Sequence, residues 1–256
     1  MASRKEEKER LRAQRLAAER QAQSGGRRRL MAGYVVAGVL TIAVVAGLVA
    51  VIASGGSGSG SGACSNAHIQ NVGSFAGLTP DCRKGTPPPP IQFADLHISA
   101  QKAGCEVRLN LPNEGNTHVP NSTPVHYGTV PPTSGNHNPV PISDGAYTTP
   151  MSANPETKGM NIRDEVHAME HGRIEIHYKP NLPENEQLAL KGVFDADPDG
   201  MLLYPDPNMP YAVAVTAWTN MVVCPSYSPL VLDVIRNFRD TYRGNGPEQQ
   251  IPIHVG

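Results

Sequence analysis

The sequence predicts an α+β domain, a small mixed or antiparallel sheet with a few helices and long proline-rich loops, preceded by one transmembrane helix. Three observations carry that expectation. A 24-residue run at 30–53 holds no charged side chain. Arg173-Ile174-Glu175-Ile176-His177-Tyr178 alternates with the period of a strand, placing Ile174, Ile176 and Tyr178 on one face. Residues 229–243 repeat Val231, Val234, Ile235 and Phe238 at helical spacing, with Ser228 as N-cap, Pro229 in the first turn and Gly244 as the stop.

The chain changes composition after its first quarter. Ten basic and four acidic residues give positions 1–29 a charge of +6, while twelve basic and nineteen acidic residues leave the rest at −7. All 24 prolines, nine histidines and four cysteines lie from Cys64 onward. A single soluble cytoplasmic domain is excluded by this division. At about 1.5 Å per residue, a helix over 30–53 exceeds the roughly 30 Å hydrocarbon core of a bilayer. Arg27, Arg28 and Arg29 abut its N-terminal end, and no Lys or Arg follows before Arg83. The positive-inside rule then sets the N-terminus in the cytoplasm. The apolar run is longer than the 7–15 residues of a cleaved signal peptide, which favours an uncleaved signal-anchor. The expected organisation is a basic cytoplasmic tail at 1–29, a single pass through the cell membrane at 30–53, a Gly/Ser linker at 54–63 and an extracytoplasmic domain at 64–256. The lipid bilayer is thus the first expected partner.

Prolines make up about an eighth of the 193 residues from Cys64 to the end, more than twice the usual share of about 5%. Residues 87–90 predict a polyproline II spacer, and 112–155 carries Pro, Gly, Asn, Ser and Thr at turn density. Strands are expected at 106–111, 173–178, 201–204 and 211–218, and helices at 161–171, 184–196 and 229–243. Four cysteines outside a membrane suggest two disulfides. Three connectivities are open. Cys64 with Cys82 and Cys105 with Cys224 is the preferred pairing, because the first closes a local loop and the second ties the N-terminal strand to the core.

His167-Ala168-Met169-Glu170-His171-Gly172 is the stretch richest in chemistry. Residues four apart share a helix face, so His167 and His171 can present imidazoles to one metal with Glu170 alongside. A third ligand must come from elsewhere, and His118, His126 and His137 lie in the preceding loops. Met160 and Met169 would interest a soft cuprous ion. His-x-x-Glu-His is also the inverzincin pattern, with the Glu as general base, but Gly172 stops the helix at once. A purely structural alternative has His171 capping the helix, His167 donating to a carbonyl, and Glu170 pairing with Arg163 or Arg173. His68, His97, His177 and His254 read as ordinary isolated polar residues.

The strings Tyr127-Gly128-Thr129-Val130-Pro131-Pro132-Thr133-Ser134-Gly135-Asn136-His137, Gly145-Ala146-Tyr147 and Val166-His167-Ala168-Met169-Glu170-His171-Gly172-Arg173-Ile174 are followed by Thr216-Ala217-Trp218 and Cys224. Together they resemble a bacterial membrane-anchored family catalogued as domain of unknown function 3105, over about 116–248. Its signature falls on Pro131, Pro132, Thr133, Ser134, Gly135, His137, His167, Glu170, His171, Gly172 and Arg173, and His118 also matches a family histidine. Met169 stands where Leu is more usual, which argues against a shared thioether ligand. The resemblance brings no activity. It implies that His137, His167 and His171 converge, and they are the expected ligands of copper or zinc, with His118 and Glu170 as additional ligands or orienting groups. No catalytic residue is assigned. The alternatives are a structural or interaction module that docks an envelope protein, and a zinc-dependent hydrolase. Phosphate-loop, dinucleotide and nucleophile-elbow motifs are missing from the outer domain, and its charge of −7 speaks against a nucleic-acid partner.

Overall fold

A computed structural model describes residues 76–248 together with Gly73. The expected tail, membrane span and linker lie outside the described residues, as do Cys64, His68 and His254. Among the described residues no helix is long and apolar enough to cross a membrane.

The elements run α1 (Leu96–Ala103), β1 (Glu106–Arg108), β2 (Gly145–Ala146), α2 (Ile162–Glu170), β3 (Ile174–Tyr178), α3 (Glu184–Ala196), β4 (Met201–Pro205), β5 (Val213–Ala217), β6 (Asn220–Cys224) and α4 (Val231–Tyr242). They form an α+β fold around one six-stranded sheet of order β1-β6-β5-β3-β4-β2. The sheet is mixed. β3, β5, β6 and β1 pair antiparallel, whereas β3–β4 and β4–β2 are parallel. α3 supplies the crossover that parallel β3 and β4 require.

Alternation sorts the sheet into two faces. Ile174, Ile176 and Tyr178 of β3 join Met201, Leu203, Val213, Val215, Val222 and Cys224 in the main core. α1, α3 and α4 cover this face. Val231, Val234, Ile235 and Phe238 of α4 are at most 1% exposed, each contributing about 1.5–3 kcal/mol through burial. The opposite face is buried as well. Leu202 and Tyr204 pack with Ala168 of α2 and with Ile142, Tyr147, Met151 and Met160 from the loops. Glu175 and His177 of β3 point to this covered side and are wholly buried.

Several boundaries depart from the sequence expectation. β1 stops at Arg108, and β2, β6 and α1 were not anticipated. Helix α4 begins at Val231, because the Ser228 carbonyl accepts the Val231 N–H at 2.9 Å in a preceding turn. The Ser228 hydroxyl makes no cap bond.

Cys105 and Cys224 form a disulfide across 119 residues of sequence, next to the Glu106–Val223 pair that joins β1 to β6. Cys82 is disulfide-bonded too, and its expected partner Cys64 lies outside the described residues. Closing so long a loop restricts the unfolded chain strongly. Replacing Cys105 and Cys224 together by Ala is expected to lower stability by roughly 2–5 kcal/mol, measured by denaturant unfolding.

Candidate metal centre

The His-x-x-Glu-His motif occupies the last turn of α2. Asn161 caps the start, its side chain accepting from the Arg163 and Asp164 N–H groups, and Asp164 and Glu165 suit the positive end of the helix dipole. The helix ends at Glu170, with His171 as C-cap. Gly172 then takes φ +79, and a Cβ there would lie 2.8 Å from Gly244 backbone atoms. A glycine is required on both counts. The close approach lets residues 244–248 dock on the helix end. Gly244 N–H donates to Gly172 O at 2.9 Å, and Glu248 N–H donates to Glu170 O at 3.0 Å.

The Pro-Pro-Thr-Ser-Gly-Asn-His loop is ordered by local bonds rather than by regular structure. Ser134 Oγ accepts from Glu114 N–H at 3.0 Å, and Tyr127 O–H donates to Asn136 O at 2.8 Å. Thr219 N–H donates to Thr133 O at 2.8 Å, tying the loop to the β5–β6 turn. Gly135 adopts φ +129 beside the Tyr127 ring. That conformation turns its carbonyl toward the His137 ring. A short parallel bridge sets His118 against His137.

These elements bring four residues together. His118, His137, His167 and Glu170 each offer a ligand atom, all within 4.8 Å of one another. His137 Nε2 lies 3.0 Å from Glu170 Oε2, and His118 Nε2 lies 3.6 Å from the same oxygen. His171 approaches through His167, with the two Nε2 atoms 2.9 Å apart. For bonds of about 2.0–2.1 Å, tetrahedral donors sit about 3.3 Å apart, so these separations bracket that value. Val166, Met169, Trp218 and Tyr127 form an apolar cluster beside the group, and Trp218 meets His137 edge-on. His118 is 42% exposed and forms the outer edge, while His137 is fully buried.

Hydrogen bonding decides which nitrogens face one another. His137 Nδ1 lies 2.8 Å from Gly135 O, His167 Nδ1 2.7 Å from Asn138 O, and His171 Nδ1 3.0 Å from Glu248 O. A carbonyl oxygen only accepts, so each Nδ1 carries the proton and each neutral ring presents a bare Nε2 lone pair. Lone pairs of His167 and His171 then oppose each other, and that of His137 opposes the Glu170 carboxylate. Each contact requires a cation, either a proton or a metal. Burial disfavours the protonated rings: it holds His167 down at about 3, with the neighbouring imidazoles adding to the effect. His137 and His171 are likewise lowered, chiefly by burial. Glu170 is raised by burial and then by the Glu248 carboxylate. Neutral imidazoles are the metal-binding form.

Parts of the structural alternative coexist with this arrangement. His171 does cap α2, and His167 does donate to a carbonyl, but through Nδ1 alone. Glu170 meets histidines, not arginines. Arg173 pairs with Asp144, and Arg163 donates to the carbonyls of Pro120, Asn121 and Thr123. His126 is exposed and outside the group. Met160 packs in the core with Tyr147 and Tyr204, and Met169 with Trp218, so neither thioether joins the candidate ligands. A carbonyl partner was expected for His167 but not for His137 or His171, and nothing in a sequence marks which backbone oxygen a ring will meet. His177, expected to be an isolated polar residue, instead belongs to a buried group with Glu165 and Glu175. α2 covers the side of β3 that alternation alone assigns to solvent.

A family model described as "Protein of unknown function (DUF3105)" matches residues 118–254. No curated protein and no solved structure matches the chain. The assigned ring geometry predicts that, at neutral pH without metal, nitrogen-15 NMR will find His137, His167 and His171 all protonated at Nδ1. An Nε2–H tautomer at His137 or His167 would contradict it.

Proposed function

The chain belongs to the DUF3105 family of proteins of unknown function, and from that premise we propose that it is a membrane-anchored, extracytoplasmic protein that binds zinc or copper. The ligands are His118, His137, His167 and Glu170, with His171 at the side of His167. One observation carries the reading: Nδ1 of His137, His167 and His171 is committed to a backbone carbonyl, which leaves every Nε2 aimed into one small region. Metal-ligating histidines are oriented in this way, the second nitrogen fixing tautomer and ring direction. Imidazole and carboxylate donors without a thioether or thiolate favour zinc or cupric copper over cuprous copper.

The anchored topology is read from the uncharged run at 30–53 and from Arg27, Arg28 and Arg29 on its inner flank. A peptidase of the inverzincin type requires a glutamate standing off the metal to activate water. Glu170 instead directs Oε2 at the Nε2 atoms of His137 and His118, the position of a ligand. Metal retention or handling at the outer edge formed by His118 suits this geometry better than hydrolysis.

Elemental analysis and thermal unfolding test the proposal together. The parent protein is expected to hold one equivalent of zinc or copper at this centre and to be stabilised by about 2.7 kcal/mol at a free metal concentration 100 times Kd. A folded His167→Ala/His171→Ala variant is expected to lose both effects. A parent that takes up neither ion at micromolar concentration would overturn the assignment.

A further inference from the structure

Helix α2 carries chemistry on two sides. Two residues before His167, Glu165 reaches β3, where its Oε1 lies 3.3 Å from His177 Nε2. Thr216 Oγ1 stands 2.9 Å from that nitrogen, and Glu175 Oε2 stands 3.8 Å from it. Tyr204 O–H donates to Glu175 Oε2 at 2.6 Å. On the other edge of the ring, Asp206 Oδ2 is 3.5 Å from His177 Nδ1. Register explains the convergence: Glu175 pairs with Thr216 of β5 and His177 with Tyr204 of β4, which places these side chains on the face beneath α2.

The charges in this group do not balance. Glu165, Glu175 and His177 are 0% exposed and Asp206 is 3% exposed. His177 is the basic group set against three carboxylates, and one imidazolium offsets one negative charge. Both carboxylate oxygens of Glu165 and Oε1 of Glu175 receive no hydrogen bond from any other group, and the two carboxyls lie against each other, a contact that only a proton or a cation between them satisfies. Wholly buried carboxylates without donors are strongly unfavourable unless a cation or added protons accompany them.

We propose that Glu165, Glu175 and His177 form a second site, for a divalent first-row metal of the manganese or zinc class. Their ligand atoms lie within 4.8 Å of one another. Asp206 faces Nδ1 at 3.5 Å, an ion-pair distance at which Nδ1 makes no full hydrogen bond; its charge favours the proton on that edge and so leaves Nε2 toward the two carboxylates, an aspartate–histidine–metal arrangement. Two hard oxygen donors with one imidazole suit manganese(II) or zinc and disfavour cuprous copper. The ion clamps α2 onto β3 and so fixes the helix that bears His167 and Glu170. The competing state is a pair of shared protons, consistent with burial pushing Glu175 up to about 8.

The test counts metal in the full-length protein produced with Mn2+ or Zn2+ and then desalted. Three proteins are compared: the parent, a Glu165→Gln/Glu175→Gln variant that keeps shape but removes charge, and a His118→Ala/His137→Ala variant of the first centre. The parent is expected to hold two equivalents, and each variant to lose one. If the histidine variant matches the parent while the glutamine variant loses its metal, the second site stands and the first fails. A glutamine variant that retains the parent's metal content and melts at or above the parent's temperature overturns the second site in favour of protons. Should that variant not fold, pulsed EPR of the Mn2+-loaded histidine variant decides. One imidazole nitrogen coupled to a water-shielded ion supports the site, and no bound manganese overturns it.

Discussion

An imidazole has two nitrogens, and this domain commits one of them in three separate rings to backbone carbonyls. The rest of the candidate centre depends on that constraint. Gly135 O and Asn138 O come from one loop and Glu248 O from the C-terminal segment, so two stretches far apart in sequence must be held around the end of α2. The dense bonding of the proline-rich loops and the close approach of Gly172 to Gly244 are what that placement requires. A protein that used these histidines only as polar filler would have no reason to leave three Nε2 atoms bare and adjacent.

The sheet supplies the rigidity behind this arrangement. One face packs α1, α3 and α4 through an aliphatic core, and the other receives α2 over a mixture of aromatic and ionisable groups. Because α2 presents Glu165 to the sheet and His167 and Glu170 to the loops, its position couples the two clusters. Burial pushes up the Glu165 and Glu175 carboxyls in one cluster and that of Glu170 in the other, where it also lowers the His137, His167 and His171 imidazoles. Shifts in these directions favour the neutral forms of those groups in the absence of a cation.

Much of the scaffold was legible in the sequence. Alternation at Ile174, Ile176 and Tyr178 identified β3 and its core face, and i, i+4 spacing put His167 and His171 on one turn. His118, His126 and His137 were all open as the third ligand, and the family signature singled out His137 and His118, since no local rule connects a loop histidine to a distant helix. His177 looks like an isolated polar residue in the sequence because alternation reports which residues differ, not which face is covered. α1 does carry start and stop signals: Asp95 caps its start, and Gly104 ends it at φ +73. β6 left fewer, as its hairpin turn uses Trp218 and Thr219, the latter at φ +59, where glycine or asparagine is the usual mark. A carbonyl for His167 was expected, but which carbonyls the rings meet left no mark, because every residue carries one.

The Nε2 atoms of His118, His137 and His167, with a Glu170 oxygen, are expected to surround a metal. Anomalous diffraction from zinc-loaded crystals, collected on both sides of the zinc edge, tests it most directly. The expected result is a difference peak within about 2.0–2.2 Å of His137 Nε2, His167 Nε2 and a Glu170 oxygen. A zinc ion held only by exposed residues elsewhere, with these imidazoles bonded to one another through protons, would contradict it.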